Sequence, residues 1–250
     1  MNRYYYDLHL HSCLSPCGDD DNTPNNLCGM ASLLGINILA LTDHNTTKNC
    51  PAFFTAAKRY GIIPIAGMEL TTSEDIHVVC LFENLEDAMK FGDYVEGRRI
   101  PIKNKPDFFG RQQVMDGEDN VIAEEEHLLS NATDISLDEV FEVVKSFDGI
   151  SYPAHIDREA NGIIAILGTI PPDSDFYLYE LHNSASVTEY SEKYGIPKEN
   201  FIISSDAHVL TDMREKACFF DLDDEPYSSA KVRSELFRLL RGRKNKAEEL

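Results

Sequence analysis

The strongest constraint on this chain is an alternation of short apolar runs, each about one strand long, with stretches that carry helix signals. Tyr4–Leu10, Ile36–Thr42, Ile62–Met68, Ile76–Phe82, Gly149–Pro153, Phe176–Leu181 and Phe201–Ser205 read as strands. Asn25–Leu34, which follows the helix-start pair Thr23-Pro24, reads as a helix, as do Pro51–Tyr60 and Leu137–Ser146. A parallel strand pair needs a crossover connection, so strands alternating with helices imply a mostly parallel α/β sheet. This many units point to a barrel rather than an open sheet. The length of 250 residues suits a single domain spanning residues 1–250. The stretch from Leu85 to about Ser130 breaks the pattern with Arg98-Arg99-Ile100-Pro101 and Lys105-Pro106, and is expected to be an insertion after the fourth strand, lying over the active-site face. Near the end, Val232, Leu236, Leu239 and Leu240 stripe a packing helix over Ser228–Arg241, and Lys244–Leu250 is expected to fray.

Chemistry enters at the strand ends. His9 and His11 lie two apart in Asp7-Leu8-His9-Leu10-His11-Ser12, so on a strand both imidazoles point to one face. Thr42-Asp43-His44-Asn45 closes the second strand and Glu69 the third. His77 lies in the fourth, and His155 follows the fifth in Pro153-Ala154-His155. Asp206 and His208, again two apart, follow the last. Carboxyl ends of parallel strands converge on one face of a barrel. One such histidine is unremarkable, but this set delivered to one face reads as a metal site. A mixture of imidazole and carboxylate suits zinc, manganese or iron better than calcium or magnesium. Asp43 is expected to orient a ligand rather than bind metal. Glu180, His182 and Asn183 follow another strand and are candidates to face the pocket, with His182 and Asn183 read as substrate-binding.

In that order and spacing, Asp-Leu-His-Leu-His-Ser, Thr-Asp-His-Asn, Pro-Ala-His and Ser-Ser-Asp-Ala-His resemble the four motifs of the PHP (polymerase and histidinol phosphatase) superfamily, over residues 5 to about 210. The resemblance implies a distorted (β/α)7 TIM-like barrel holding two to three divalent metal ions. Carried over residue by residue, it gives one ion to His9, His11, Glu69 and Asp206. A second shares Glu69 and adds His77 and His155, and a third takes Asp19, His44 and His208. Asp19 is chosen from Asp19-Asp20-Asp21 by its distance to Thr23-Pro24. The implied activity is that of a stand-alone metal-dependent phosphoesterase: a metal-activated hydroxide cleaves a phosphate ester of a small metabolite, nucleotide or short oligonucleotide. Glu69 bridges two ions, and Asp206 or His208 passes a proton to the leaving oxygen. The alternatives are an amidohydrolase or lactonase, and a non-catalytic module of the kind attached to some DNA polymerases.

Charge and composition bound the partners. A formal net charge of −20 is expected to repel long nucleic acids and to leave a small phosphorylated substrate. Arg158, just past His155, is the expected phosphate contact, helped by the basic residues Arg98, Arg99, Lys103, Lys105 and Arg111 of the insertion. No run of about 18 apolar residues offers a membrane span, and with no secretion-signal core the default expectation is cytoplasmic. The six cysteines are then expected to be reduced, Cys13 and Cys17 included, as loop thiols without a partner pair.

Overall fold

The computed structural model describes residues 1–247. Its strands are β1 (Asn2–Asp7), β2 (Ile38–Leu41), β3 (Ile63–Thr71), β4 (His77–Phe82), β5 (Gln113–Met115), β6 (Val121–Glu124), β7 (Gly149–Pro153), β8 (Tyr179–Leu181), β9 (Phe201–Ile203) and β10 (Phe219–Leu222). Its helices are α1 (Pro24–Leu33), α2 (Cys50–Tyr60), α3 (Leu85–Glu96), α4 (Pro106–Phe109), α5 (Leu137–Ser146), α6 (Ile163–Leu167), α7 (Val187–Tyr194) and α8 (Ser229–Ala247). A six-stranded sheet runs in the order β10-β1-β2-β3-β4-β7, and β8 pairs with β9.

Hydrogen bonds just past the strand ends curl these pieces into a distorted barrel. Ile156 N–H donates to the Glu180 carbonyl at 2.9 Å, which joins β7 to β8. Leu10 and Ala207 form a parallel bridge, with Asp206 N–H on the His9 carbonyl at 2.9 Å and His11 N–H on the Ala207 carbonyl at 3.0 Å. The free edge of β1 is thus divided. Residues from Asn2 to Tyr5 pair antiparallel with β10, and only the chain beyond β1 reaches the end of β9. The ring closes at the end where the histidines lie.

The α/β barrel expected from sequence is present, but besides the edge strand β10 one strand within it is reversed. β4 runs antiparallel to both β3 and β7. The reason is the connection. Thr72–Ile76 is too short for a crossover helix, so the chain turns back as a hairpin. His77 therefore begins its strand, yet the reversal brings it to the same end of the barrel as Glu69, near the end of β3.

Alternation along the strands sets two cores. Leu8, Ile38, Ala40, Ile63, Ile65, Val79, Leu81 and Tyr152 pack inside the barrel, where Val232, Leu236, Phe237 and Leu240 of α8 join them. Leu39, Leu41, Met68, Val78 and Cys80 face outward against Leu27, Phe53, Phe91 and Val144 of the surrounding helices. Within the segment expected as an insertion, α3 behaves as an ordinary barrel helix, burying Ala88, Phe91 and Val95. The β5–β6 hairpin that follows lies against loops beyond β1 and β2. Gln113 N–H donates to the Cys13 carbonyl at 3.0 Å, and Met115 N–H to Asn49 Oδ1 at 2.8 Å. Of the tail expected to fray, residues 244–247 continue α8, and the remainder lies outside the described residues.

Candidate metal centre

Glu69 is the hub. It is 1% exposed, and five imidazoles surround its carboxylate. Oε1 lies 2.8 Å from His77 Nδ1, 3.1 Å from His155 Nε2 and 3.3 Å from His9 Nε2. Oε2 lies 3.1 Å from His44 Nδ1 and 3.2 Å from His11 Nε2. Asp206 stands opposite, its Oδ1 3.3 Å from Nε2 of both His9 and His11. Left-handed backbone at Asp206 (φ 52°) and His155 (φ 28°) directs the chain at this end of the barrel, a conformation that non-glycine residues adopt at a cost of about 1–3 kcal/mol each.

Neighbours fix which nitrogen each ring presents. His9 Nδ1 pairs with Glu180 Oε2 at 2.8 Å, leaving Nε2 for the cluster. His11 Nδ1 lies 2.9 Å from Ser15 Oγ, which donates to Asp43 Oδ1 at 2.7 Å, so the His11 Nδ1–H donates and Nε2 is left for the cluster. Asp43 also takes the Ser12 hydroxyl at 2.6 Å. Through Ser15 it thus braces the His11 ring from behind.

Metal fits this arrangement. His9, His11, Glu69 and Asp206 each offer a donor atom, all within 4.8 Å of one another. His44, Glu69 and His77 form a second such group, beside His155, and His11, Cys17, His44 and His208 a third. Asp206 Oδ1 and His44 Nδ1 are buried with no hydrogen-bond partner, although basic or acidic atoms stand close by. Convergence without hydrogen-bond geometry is what a cation would resolve. The electrostatics agree. Burial opposes charge on His9, but Glu180, Glu69 and Asp206 outweigh it and hold its pKa well above the ordinary value. His11 is lifted to about 9, against its own burial, by the carboxylates of Asp206 and Glu69 beside it. Burial would raise Glu69, yet His77, His9 and His44 hold it well below the carboxylate range. Protons on these rings thus balance the carboxylates where cations would otherwise do so. His208 is pushed down to about 4 by burial and then by His11, so its ring is neutral at pH 7.

The structure brings together His9, His11, His44, Glu69, His77, His155, Asp206 and His208. It does not bring in Asp19. That carboxylate is exposed and accepts the Asp21 N–H at 2.8 Å, and the thiol of Cys17 stands at the corner expected for it. All six cysteines are free.

On the rim, Arg158 donates to Asp206 Oδ2. Arg158 and Arg214 both reach the ring of His182, at 3.0 and 2.8 Å. Burial and then these two cations lower the His182 pKa, so a neutral ring separates paired guanidiniums. Asn183 is committed to its own turn, its Oδ1 accepting the Ala185 N–H at 3.0 Å. Within the insertion, carboxylates engage Arg98 (Asp134), Arg99 (Glu96 and Glu125) and Arg111 (Asp20). A cavity of about 160 Å³ opens between His44, His77, His155, Arg158, Asp206 and His208. The sequence leaves Arg214 and Ser15 unmarked and reads Cys17 as a loop thiol without a partner pair, whereas Glu180 carries a signal as an acid inside an apolar strand.

Fold and site together define a hydrolase of the metal-dependent phosphoesterase class. The chain belongs to the PHP domain family, whose model matches residues 7–195. A 5'-3' exoribonuclease from Haemophilus influenzae is 40% identical over 79 residues, 30% of this chain and 28% of that protein. A PolC-type DNA polymerase III from Thermotoga maritima is 37% identical over 87 residues, 35% of this chain and 6% of the polymerase. This chain thus spans well under a third of either relative. Among solved structures, the lesion-specific endonuclease PfuEndoQ from Pyrococcus furiosus superposes with a TM-score of 0.67 at 16% identity, covering 96% of this chain and 56% of the endonuclease. An amidohydrolase from Chromobacterium violaceum superposes at 0.54 with 19% identity, covering 96% and 97%.

One expectation is corrected here. Endonuclease Q, sharing this fold, is known in complex with a 27-mer duplex bearing an abasic lesion at the active site. The exclusion of long nucleic acids from the charge of −20 therefore does not stand. Net charge sums the whole surface, whereas a polyanion at the mouth feels groups within about 8 Å at physiological salt. Those groups here include Arg158 and Arg214. Among the described residues no helix is long and apolar enough to cross a membrane.

Proposed function

We propose that this chain is a metal-dependent phosphoesterase acting on nucleotide phosphates, phosphodiesters of a polynucleotide included. Residues 1–250 act as one barrel domain, and part of the segment from Leu85 to about Ser130 covers the catalytic face. The observation that carries the reading is Glu69 ringed by five imidazoles, with the Arg158 guanidinium on the neighbouring Asp206. Two or three ions of zinc, manganese or iron, held by these side chains, would supply Lewis-acid charge for the phosphoryl oxygens and lower the pKa of water.

The protein's own groups do the rest. Arg158, about a third exposed, turns one edge to Asp206 and another to His182, and an incoming phosphate competes for that fork. His182 holds Arg158 and Arg214 side by side, which suits two oxygens of one phosphate or two successive phosphates of a chain. Neutral His208 and ionised Asp206 hold the proton released as water attacks. Relatives that act on RNA or DNA support a nucleotide substrate over an unrelated metabolite.

The test is a panel with manganese or zinc present: a phosphomonoester, a phosphodiester, single- and double-stranded oligonucleotides of increasing length, and a lactone. Turnover of phosphate esters alone, with oligonucleotides preferred to simple esters, is the expected result. Lactone or amide hydrolysis without phosphate-ester cleavage would overturn it in favour of amidohydrolase chemistry.

A further inference from the structure

We infer that Cys17 is a metal ligand of this centre, standing where the resemblance assigns Asp19, and that its thiolate makes the centre selective for zinc. The inference rests on the reading of the site as a metal centre and adds which atoms close its third corner.

Two independent observations carry it. First, Cys17 Sγ and one ring nitrogen each of His11, His44 and His208 all lie within 4.8 Å of one another. Second, His44 is only 4% exposed, and its Nδ1 makes no hydrogen bond. His11 presents Nε2 to Glu69 and Asp206, and His44 is shared with the group it forms with Glu69 and His77, so the Cys17 sulfur closes this corner with the rings of His44 and His208. Three protein donors of this kind leave one position open, the pattern of a catalytic zinc site.

The loop is built to hold the thiol there. Ser15 N–H donates to the Ser12 carbonyl at 3.1 Å, and Gly18 N–H to the Ser15 carbonyl at 2.9 Å. A Cβ on Gly18 would lie 2.2 Å from the Ser12 carbonyl oxygen, so only glycine allows the loop to fold back this closely. Cys17 rides on that turn, one residue before the glycine. Beyond it, Asp19 N–H donates to the His208 carbonyl at 3.0 Å, tying the loop to the motif that carries His208. Asp19 thus contributes its backbone, while its carboxylate serves the next turn. Cys13 is different. It is buried, and its Sγ points to the Gln113 carbonyl at 3.8 Å.

Chemistry then chooses the ion. A carboxylate at this corner would accept manganese or magnesium, whereas thiolate with imidazole selects zinc among abundant divalent ions. On binding, the S–H proton leaves to solvent and the sulfur electron pair forms the metal bond.

The test uses metal-free full-length protein titrated with Co²⁺ under anaerobic conditions, with optical spectra and metal content read together. The parent is expected to show a near-ultraviolet thiolate-to-cobalt charge-transfer band. Cys17→Ser should lose the band and one bound equivalent. Cys17→Asp should recover the equivalent without the band, and Cys13→Ser and Asp19→Asn should keep both. Should Cys17→Ser not fold, X-ray absorption of the zinc-loaded parent replaces it, with a sulfur neighbour expected at about 2.3 Å. A parent that binds cobalt without the band, a band surviving in Cys17→Ser, or zinc without a sulfur neighbour overturns the ligand but leaves the phosphoesterase reading standing. A parent that binds no metal overturns both.

Discussion

Glu69→Gln is the most informative single substitution, because it changes charge without changing shape. The side chain is 1% exposed, and five imidazole nitrogens lie within 3.3 Å of its two oxygens. Glutamine leaves no cavity, but it replaces an anion with a neutral amide and turns one acceptor into a donor facing histidines that need a negative partner. In the metal-free protein, removing one member of a buried ion pair costs about 3–5 kcal/mol, less whatever the histidines recover by giving up protons. In the loaded protein the loss is larger in effect, since Glu69 belongs to two of the three donor groups. A residue that only orients a ligand typically costs about 10–100-fold in metal affinity or activity when changed. A shared ligand should exceed that, and we expect kcat/KM to fall by at least about 10³-fold, or about 4 kcal/mol of transition-state stabilisation. The assay is phosphodiester turnover at saturating manganese, with metal content measured on the same sample by elemental analysis. The parent should carry two to three equivalents and Glu69→Gln at least one fewer. Turnover within tenfold of the parent, with full metal content, would refute the hub role of this carboxylate.

Three further outcomes follow from the geometry. Glu180→Gln keeps the shape but weakens the 2.8 Å contact that aims His9, so metal affinity should fall about 10–100-fold, and an unchanged titration would remove Glu180 from the centre. Arg158→Ala should raise KM for a phosphate ester by about tenfold while metal content stays at the parent level; unchanged kinetics would show that the rim arginine does not meet substrate. Glu125, with a nearly buried side chain, pairs with Lys48 and Arg99, and these partners outweigh its burial and depress its pKa. A depressed folded pKa stabilises above the unfolded value of about 4.3 and is lost as pH falls through the folded one. Denaturant midpoints of parent and Glu125→Gln should therefore differ most near neutral pH and converge in acid, and a gap independent of pH would contradict the ion-pair reading.

The sequence by itself determined seven of the strands, the helices α1, α2, α5 and α8, and the histidines and carboxylates that converge at the strand ends. Local periodicity placed α5 at Leu137–Ser146 and β7 at Gly149–Pro153 to the residue, because an apolar stripe or an apolar run is a property of neighbours along the chain. His9 with His11 and Asp206 with His208 were legible for the same reason, since spacing of two on an extended backbone puts side chains on one face. Tertiary structure alone decided what depends on distance through space. The reversal of β4 follows from a turn too short for a crossover, and that reversal brings His77 to Glu69. Glu180 becomes the partner of His9 across 171 positions, and Arg214 joins Arg158 around His182, pairings that no local pattern records. At the third corner the sequence offered acids and a thiol within a few residues of each other. The choice fell to Cys17 because a glycine beside it lets the loop fold back on Ser12, while the carboxylate of Asp19 turns to a backbone N–H of its own loop.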